Sequence, residues 1–270
     1  NLNNPRVGLI HLYKPTGGFY MPEHIVLSPY SFVGFEICNR LMEEGLEVIG
    51  VDLPVLVDPI EKEEKELFLG RNSNFKVKKH DQVINEIKDG YFFYITDLDN
   101  ECEKWLEYVE KIPKKVEDTF IYVGMDKEGL VNNDIPNRVD TTIILPTVYG
   151  PWQPENTVFY NCLSQSQFPF ELYDLENKRD AIYISDAITA IFEISKLEHG
   201  IYQVQSDIKK HWHLLLKELG YRIIAETGEK RNPDLQKLNI KEYLAVTKIS
   251  PHVGINLVKQ HIRIRNLMSY

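Results

Sequence analysis

The residues best placed for chemistry lie in one bend between two apolar runs: Ser28, Pro29, Tyr30, Ser31, Phe32, Val33 and Gly34, with Asp52 standing 18 residues beyond Gly34. A bend that holds a diphosphate at the start of a helix normally carries three glycines. The backbone can then turn tightly, and its N–H groups reach the phosphates together with the helix dipole. Here Ser28 and Ser31 occupy the first two such positions and Gly34 the third. Serine hydroxyls can sit near phosphate, but their Cβ atoms restrict the close approach that glycine permits. Asp52 closes the next apolar run, where a carboxylate can accept two bonds from an adenine-ribose diol.

The elements that must position these residues follow from the pattern of apolar positions. Ile25–Leu27 and Val48–Val51 are short apolar runs. Between them Phe32, Val33, Ile37, Leu41 and Met42 recur at helical spacing and stop at Gly45. That is the strand, loop, helix, strand order of a βαβ unit. Further along, 62–69 reads as a charged helix, 75–77 as a strand, 81–88 as a helix and 91–95 as a buried strand. A helix over 101–112 and a strand over 119–123 follow, with Trp105 expected in the core or an interface. The segment from Gly124 to Val139 is polar and turn-like, too aperiodic for a long helix, and Thr141–Leu145 restarts a strand. Beyond it, a loop and short helix are expected over 152–162 and a short strand over 172–175. A helix over 186–197, a strand over 201–204 and a helix over 212–219 come next. A docking helix is expected to begin near Gly254.

Composition narrows the possibilities. A chain of 270 residues can bury a substantial core, and a formal charge of -9 with no long basic run argues against nucleic acid as a partner. The short run Lys76–Lys79 reads as solvated surface. Cys38, Cys102 and Cys162 have neither disulfide-framework nor zinc spacing and read as core or helix-face thiols. His211, His213, His252 and His261 lack a ligand set and are expected to be exposed or capping. No segment has the length of a membrane span, and a cytoplasmic protein is expected. Residues 1–20 read as an N-terminal arm or as a segment foreign to the native chain. The nucleotide-binding core is expected over 21–150 and a smaller substrate-type lobe over 151–270, with 178–207 returning partly to the core.

Three further stretches carry a resemblance: ILPTVYGPWQP (144–154), KRDAIYISDAITAIFEISK (178–196) and GIYQVQSD (200–207). With the opening unit they resemble the extended short-chain dehydrogenase/reductase family, especially its nucleotide-sugar epimerases and dehydratases, over roughly residues 24 to 265. That family has Arg-x-x-Asn-Val-Tyr-Gly-Pro, Arg-Asp-Phe-Val-Tyr-Val-x-Asp and Gly-x-Tyr-Asn-Val-Gly in the corresponding order. The resemblance implies an α/β fold, a Rossmann-like parallel sheet flanked by helices with a small C-terminal α/β lobe. It makes Ser28, Tyr30, Ser31, Phe32, Val33 and Gly34 the pyrophosphate loop and Asp52 the adenine-ribose ligand. An acid at that position disfavours a 2′-phosphate, so NAD is favoured over NADP. Thr96 falls beside the nicotinamide half. Thr147, where the family has Asn, and Tyr149 fall in the loop joining cofactor to substrate. Arg179 matches the arginine that meets the nucleotide-sugar diphosphate, a task suited to its donor fork; a surface ion-pair role for it stays open. Asp180, Tyr183 and Asp186 are expected to organise the strand and helix around them.

The departures matter as much. The family's acid/base pair is a Tyr with a Lys four residues later, after the fifth strand. No Tyr-x-x-x-Lys occurs between Val123 and Leu145. Tyr122 reads as buried in its strand, and Lys127 with Glu128 as a solvated turn. NAD binding is therefore expected to be weak or absent. One reading is a catalytically degenerate protein that binds a dinucleotide, a nucleotide-sugar or a protein partner in a regulatory or assembly role. An active enzyme with unconventional acid/base residues and a purely structural partner are the alternatives. Without the second helix of the family's dimer bundle, a monomer or a different homodimer interface is expected.

Overall fold

The predicted opening unit forms β1 (His24–Leu27), α1 (Phe32–Glu43) and β2 (Val48–Val51). The structure, a computed structural model, describes residues 23–53, 57–86, 90–97, 102–125, 138–164, 179–221 and 239–268. Then come α2 (Pro59–Gly70), β3 (Phe75–Lys78), α3 (His80–Glu86), β4 (Phe92–Asp97), α4 (Cys102–Lys111) and β5 (Thr119–Met125). The second half adds β6 (Thr141–Leu145), β7 (Thr147–Tyr149), α5 (Val158–Ser164), β8 (Ala181–Tyr183) and α6 (Ile184–Ile194). It ends with β9 (Gly200–Ser206), α7 (His211–Glu218), β10 (Ile240–Ala245) and α8 (Pro251–Met268). The arm over 1–20, the turn at Lys127 and Glu128, the strand expected over 172–175 and the side chain of Trp105 lie outside the described residues.

Eight strands pair in the order β10, β9, β6, β5, β4, β1, β2, β3, while β7 and β8 make a separate pair. All pairings are parallel, with Ile25 beside Ile49 on one side and Phe93 on the other. Helices cover both faces of the sheet, which is why its central strands are apolar without interruption. Because side chains alternate along a strand, Val26, Tyr94, Ile121 and Val123 join α1 and α6 in one core. Ile25, Leu27, Phe93, Ile95, Phe120 and Tyr122 join Val83, Val109 and Ile112 in the other. The expected α/β sheet is thus observed, and Tyr122 is buried within β5, as the sequence implied.

Helix α1 stops where the sequence predicts. Gly45 takes φ 79°, its N–H donates to Met42 O at 2.9 Å, and Leu46 N–H donates to Leu41 O at 3.0 Å. That is a Schellman ending, with glycine in the left-handed position. Helix α2 starts on Asp58, whose Oδ1 accepts from Ile60 and Glu61 N–H at 3.1 and 3.0 Å, with Pro59 at the first helical position.

Two elements near the end of the chain depart from the sequence reading. The last helix begins at Pro251 rather than near Gly254. Strand β10 was not expected at all. It is an edge strand in which Lys241 and Glu242 interrupt the apolar run and only Ala245 is buried, so neither alternation nor a continuous apolar stretch marks it.

His24, at the start of β1, is buried and stacks on Phe92 and Tyr94 at 5.6 and 6.0 Å, with no hydrogen-bond partner for its Nδ1 among the described residues. Burial pulls its pKa down to about 4 from 6.5. The unfolded chain takes up that proton near pH 6.5 and the folded chain only near 4. Stability is therefore lost as pH falls through this window, on the order of 1 kcal/mol per pH unit for such a group. His24→Phe is expected to raise the denaturation midpoint at pH 7 and to flatten the pH 6.5 to 4 limb. An unchanged acid limb in urea titrations would show that His24 does not set it.

Candidate functional site

The bend sits where β1, β2 and β4 end, the edge of a parallel sheet at which such folds place their ligands. Ser28 has φ 62°, so it takes the left-handed conformation that glycine takes without strain. Its N–H donates to Val51 O at 2.9 Å, and its carbonyl accepts from Ser31 N–H at 3.1 Å and Ser31 Oγ at 2.8 Å. Ser31 is the N-cap of α1. Its Oγ accepts from Gly34 N–H at 3.1 Å and lies 3.0 Å from Thr96 Oγ1, which donates to Leu27 O at 3.3 Å. A Cβ on Gly34 would sit 2.2 Å from Ser28 O and 2.7 Å from Ser31 Oγ. The third glycine is thus required by the backbone itself, while the first two positions accept serine, one by strain and one by capping.

The structure brings Ser28, Tyr30, Ser31, Phe32, Val33, Gly34 and Thr96 together, and each of them is buried. Phe32 and Val33 N–H donate to no described residue. Asp52 stands at the tip of β2, where its Oδ2 accepts from Lys62 Nζ at 2.6 Å. The two side chains are 34% and 35% exposed, so the pair is a surface one of modest strength. The ammonium also lies 5.5 Å from the Tyr30 ring centroid.

Residues that the sequence did not single out complete this region. Lys65 of α2 is fully buried and donates to Tyr30 O at 2.9 Å and Glu61 Oε1 at 2.7 Å. Arg265 of α8 donates to Glu61 Oε2 at 2.9 Å and lies 3.8 and 3.7 Å from Asp58 and Glu64 carboxylate oxygens. Lys65 and Arg265 stand 5.5 and 5.6 Å from the Trp152 ring centroid. That indole packs on Phe35 at 5.8 Å and edge-on against His261 at 4.4 Å. Burial pushes the nearby Glu36 carboxyl up to about 7, with Lys65 pulling it back and Glu43 adding to the rise. In the sequence Glu61 and Lys65 look like an ordinary solvated i,i+4 pair; only the arrival of α8 and Trp152 buries them.

The residues assigned to the substrate side are placed differently. Thr147 and Tyr149 are buried in β7, paired with Ala181 and Tyr183 of β8. Tyr149 OH lies 3.3 Å from His211 Nε2, and His211 Nδ1 lies 2.9 Å from Ser206 Oγ. Burial first, then Asp186 and Tyr183, raise the Tyr149 pKa. His211 is fully buried, which corrects the expectation of an exposed or capping histidine; burial pulls its pKa down to about 4. A neutral imidazole can bridge a phenol and a serine hydroxyl, which is why the site tolerates it.

Arg179 is exposed, in the turn before β8. Asp180 organises its surroundings as expected, its carboxylate accepting from Ala181 N–H at 2.8 Å and Ser206 N–H at 2.6 Å. Asp186 likewise accepts from Lys248 and Ile249 N–H at 3.1 and 3.2 Å. Cys38 and Cys162 are buried free thiols. Among the described residues no group of three or more His, Cys, Asp or Glu is arranged to hold a metal, and no helix is long and apolar enough to cross a membrane.

No protein-family model matches the sequence. The uncharacterized protein YjaV of Bacillus subtilis is 27% identical over 173 residues, and the match covers 60% of this chain and 83% of that protein. Among solved structures, UDP-glucose 4-epimerase of Thermotoga maritima, bound to UDP-glucose, aligns with TM-score 0.57 at 15% identity, covering 90% of this chain and 99% of that one. The dTDP-glucose 4,6-dehydratase of Bacillus anthracis, bound to NAD, aligns with TM-score 0.59 at 12% identity over 92% and 98% of the two chains. Vestitone reductase of alfalfa aligns with TM-score 0.59 at 14% identity over 91% and 99%. The fold is therefore that of the extended short-chain dehydrogenase/reductase structures.

Proposed function

We propose that this chain is a catalytically degenerate relative of the NAD-dependent epimerases and dehydratases, with a regulatory or assembly role and with NAD bound weakly or not at all. The observation that carries this reading is the engagement of the bend by the chain's own groups. Ser31 Oγ takes the Gly34 N–H, Lys65 takes the Tyr30 carbonyl, and Lys62 takes the Asp52 carboxylate. Residues 28–34 are buried as well, which supports weak or no binding of a dinucleotide diphosphate by the bend in this conformation. The absence of Tyr-x-x-x-Lys between Val123 and Leu145 points the same way, because the tyrosine of that pair is the acid/base and the lysine lowers its pKa. Thr147 and Tyr149 serve packing between β7 and β8, leaving exposed Arg179 as the substrate-side group best able to meet a nucleotide-sugar phosphate. A cytoplasmic monomer, or a dimer through a different surface from the family's helix bundle, fits this reading.

The test is calorimetric titration of the full chain with NAD, NADP and UDP-, dTDP- and GDP-sugars, alongside an assay for nucleotide-sugar conversion. The expected NAD dissociation constant is weaker than about 1 mM, with no turnover above background. Low-micromolar NAD affinity, or measurable conversion of any of these sugars, overturns the proposal.

A further inference from the structure

Trp152 is held in a backbone conformation that a bulky side chain rarely adopts. Its φ is 66°, a left-handed position that persists only where the surroundings over-determine it. Those surroundings are specific: Phe35 and His261 contact the indole as aromatic neighbours, and the Lys65 and Arg265 cations lie 5.5 and 5.6 Å from its centroid. Glu61 ties the two cations together, at 2.7 Å to Lys65 and 2.9 Å to Arg265, and Lys65 reaches on to Tyr30 O in the bend at 2.9 Å. The cluster thus joins α2, the Trp152 turn and α8 directly to the bend.

We propose that Trp152 and the Lys65–Glu61–Arg265 chain form a releasable plug that shuts the bend against the diphosphate of a dinucleotide, so that release of the plug controls nucleotide access. The proposal rests on the reading above: it assigns the weak binding proposed there to the closed bend, and a phosphate-binding backbone to the bend beneath the plug. Ser28 still holds the left-handed turn, Gly34 still allows the close approach of α1, and Phe32 and Val33 N–H donate to no described residue. An incoming diphosphate can replace Glu61 as the anion facing Lys65 and Arg265, so opening leaves neither cation unpaired. The closed arrangement is also imperfectly satisfied. Gln153 is 2% exposed, and its Nε2 has no partner among the described residues although its Oε1 accepts from Gly150 N–H at 3.2 Å; His261 Nε2 beside the indole has none among them either.

Two variants of the full chain test it. Trp152→Gly suits the left-handed backbone, and Arg265→Gln keeps the indole but breaks the tie to Glu61; the latter decides the matter if the former does not fold. Each is titrated with NAD and with ADP-ribose, and amide exchange is followed at Phe32 and Val33. The expected result is binding at least tenfold tighter than wild type and faster exchange at both amides. Variants that melt cooperatively yet bind no better than a weakly binding wild type overturn the plug alone. Low-micromolar NAD binding by the wild type instead overturns the degenerate-site reading beneath it.

Discussion

Gly34→Ala is expected to cost about 4 kcal/mol or more of stability, in the range reserved for changes that the backbone cannot absorb, and to drive most of the chain into the insoluble fraction. The added Cβ would lie 2.2 Å from the Ser28 carbonyl oxygen and 2.7 Å from the Ser31 hydroxyl. The first of these is backbone, pinned by the hydrogen bond from Ser31 N–H and by the left-handed turn at Ser28. Relief therefore requires moving α1 away from the sheet. Gly50→Ala provides the contrast, because its Cβ would meet the Phe75 ring at 2.8 Å and the Pro29 ring at 2.9 Å. Side chains can give way, so about 1 to 3 kcal/mol is expected there. Equal losses at both positions, measured by urea denaturation, would show that the Ser28 contact has no special weight.

The second large effect is expected at Glu61. Glu61→Leu removes the carboxylate that lies 2.7 Å from the fully buried Lys65 ammonium and 2.9 Å from Arg265. Removing one partner of a buried pair typically costs about 3 to 5 kcal/mol, because the remaining charge is left desolvated. Lys65→Met in the same chain should recover much of that loss, since an apolar side chain of similar length suits the space between Phe35 and Trp152. A double-mutant cycle read from denaturation midpoints decides the matter. If Glu61→Leu alone stays within about 1 kcal/mol of wild type, a typical surface value, the Glu61 carboxylate neither neutralises Lys65 nor ties Arg265 of α8 to α2.

These contrasts show which parts of the molecule were legible in its sequence. The opening unit was readable because each local cue agrees: continuous apolar runs for buried parallel strands, helical spacing from Phe32 to Met42, and a glycine stop at Gly45. The requirement for Gly34 was readable for the same reason, since it is local to one turn. Strand β10 was hidden because an edge strand needs few buried residues, and its Lys241 and Glu242 erase the pattern. The burial of Lys65 was hidden for a different reason. Its neighbours in the sequence are Glu63, Glu64 and Glu66, a solvated face by any local measure. Only contacts from Trp152 and Arg265, far along the chain, turn it into an interior residue. The burial of His211, at the start of α7, is hidden in a similar way, because Tyr149 of β7, 62 positions away, reaches its Nε2 while Ser206 at the end of β9 meets its Nδ1.

The ion pair between Glu61 and Arg265 joins residues 204 positions apart, and that separation bears on the order of events during synthesis. A chain growing from its N-terminus can form β1, α1 and β2 long before Arg265 exists, since domains assemble while translation proceeds at about 5 to 20 residues per second. During that interval the bend has no cap from α8. The nascent protein therefore passes through a stage in which the bend lacks the contacts that α8 brings, and closure comes only as the final helix docks.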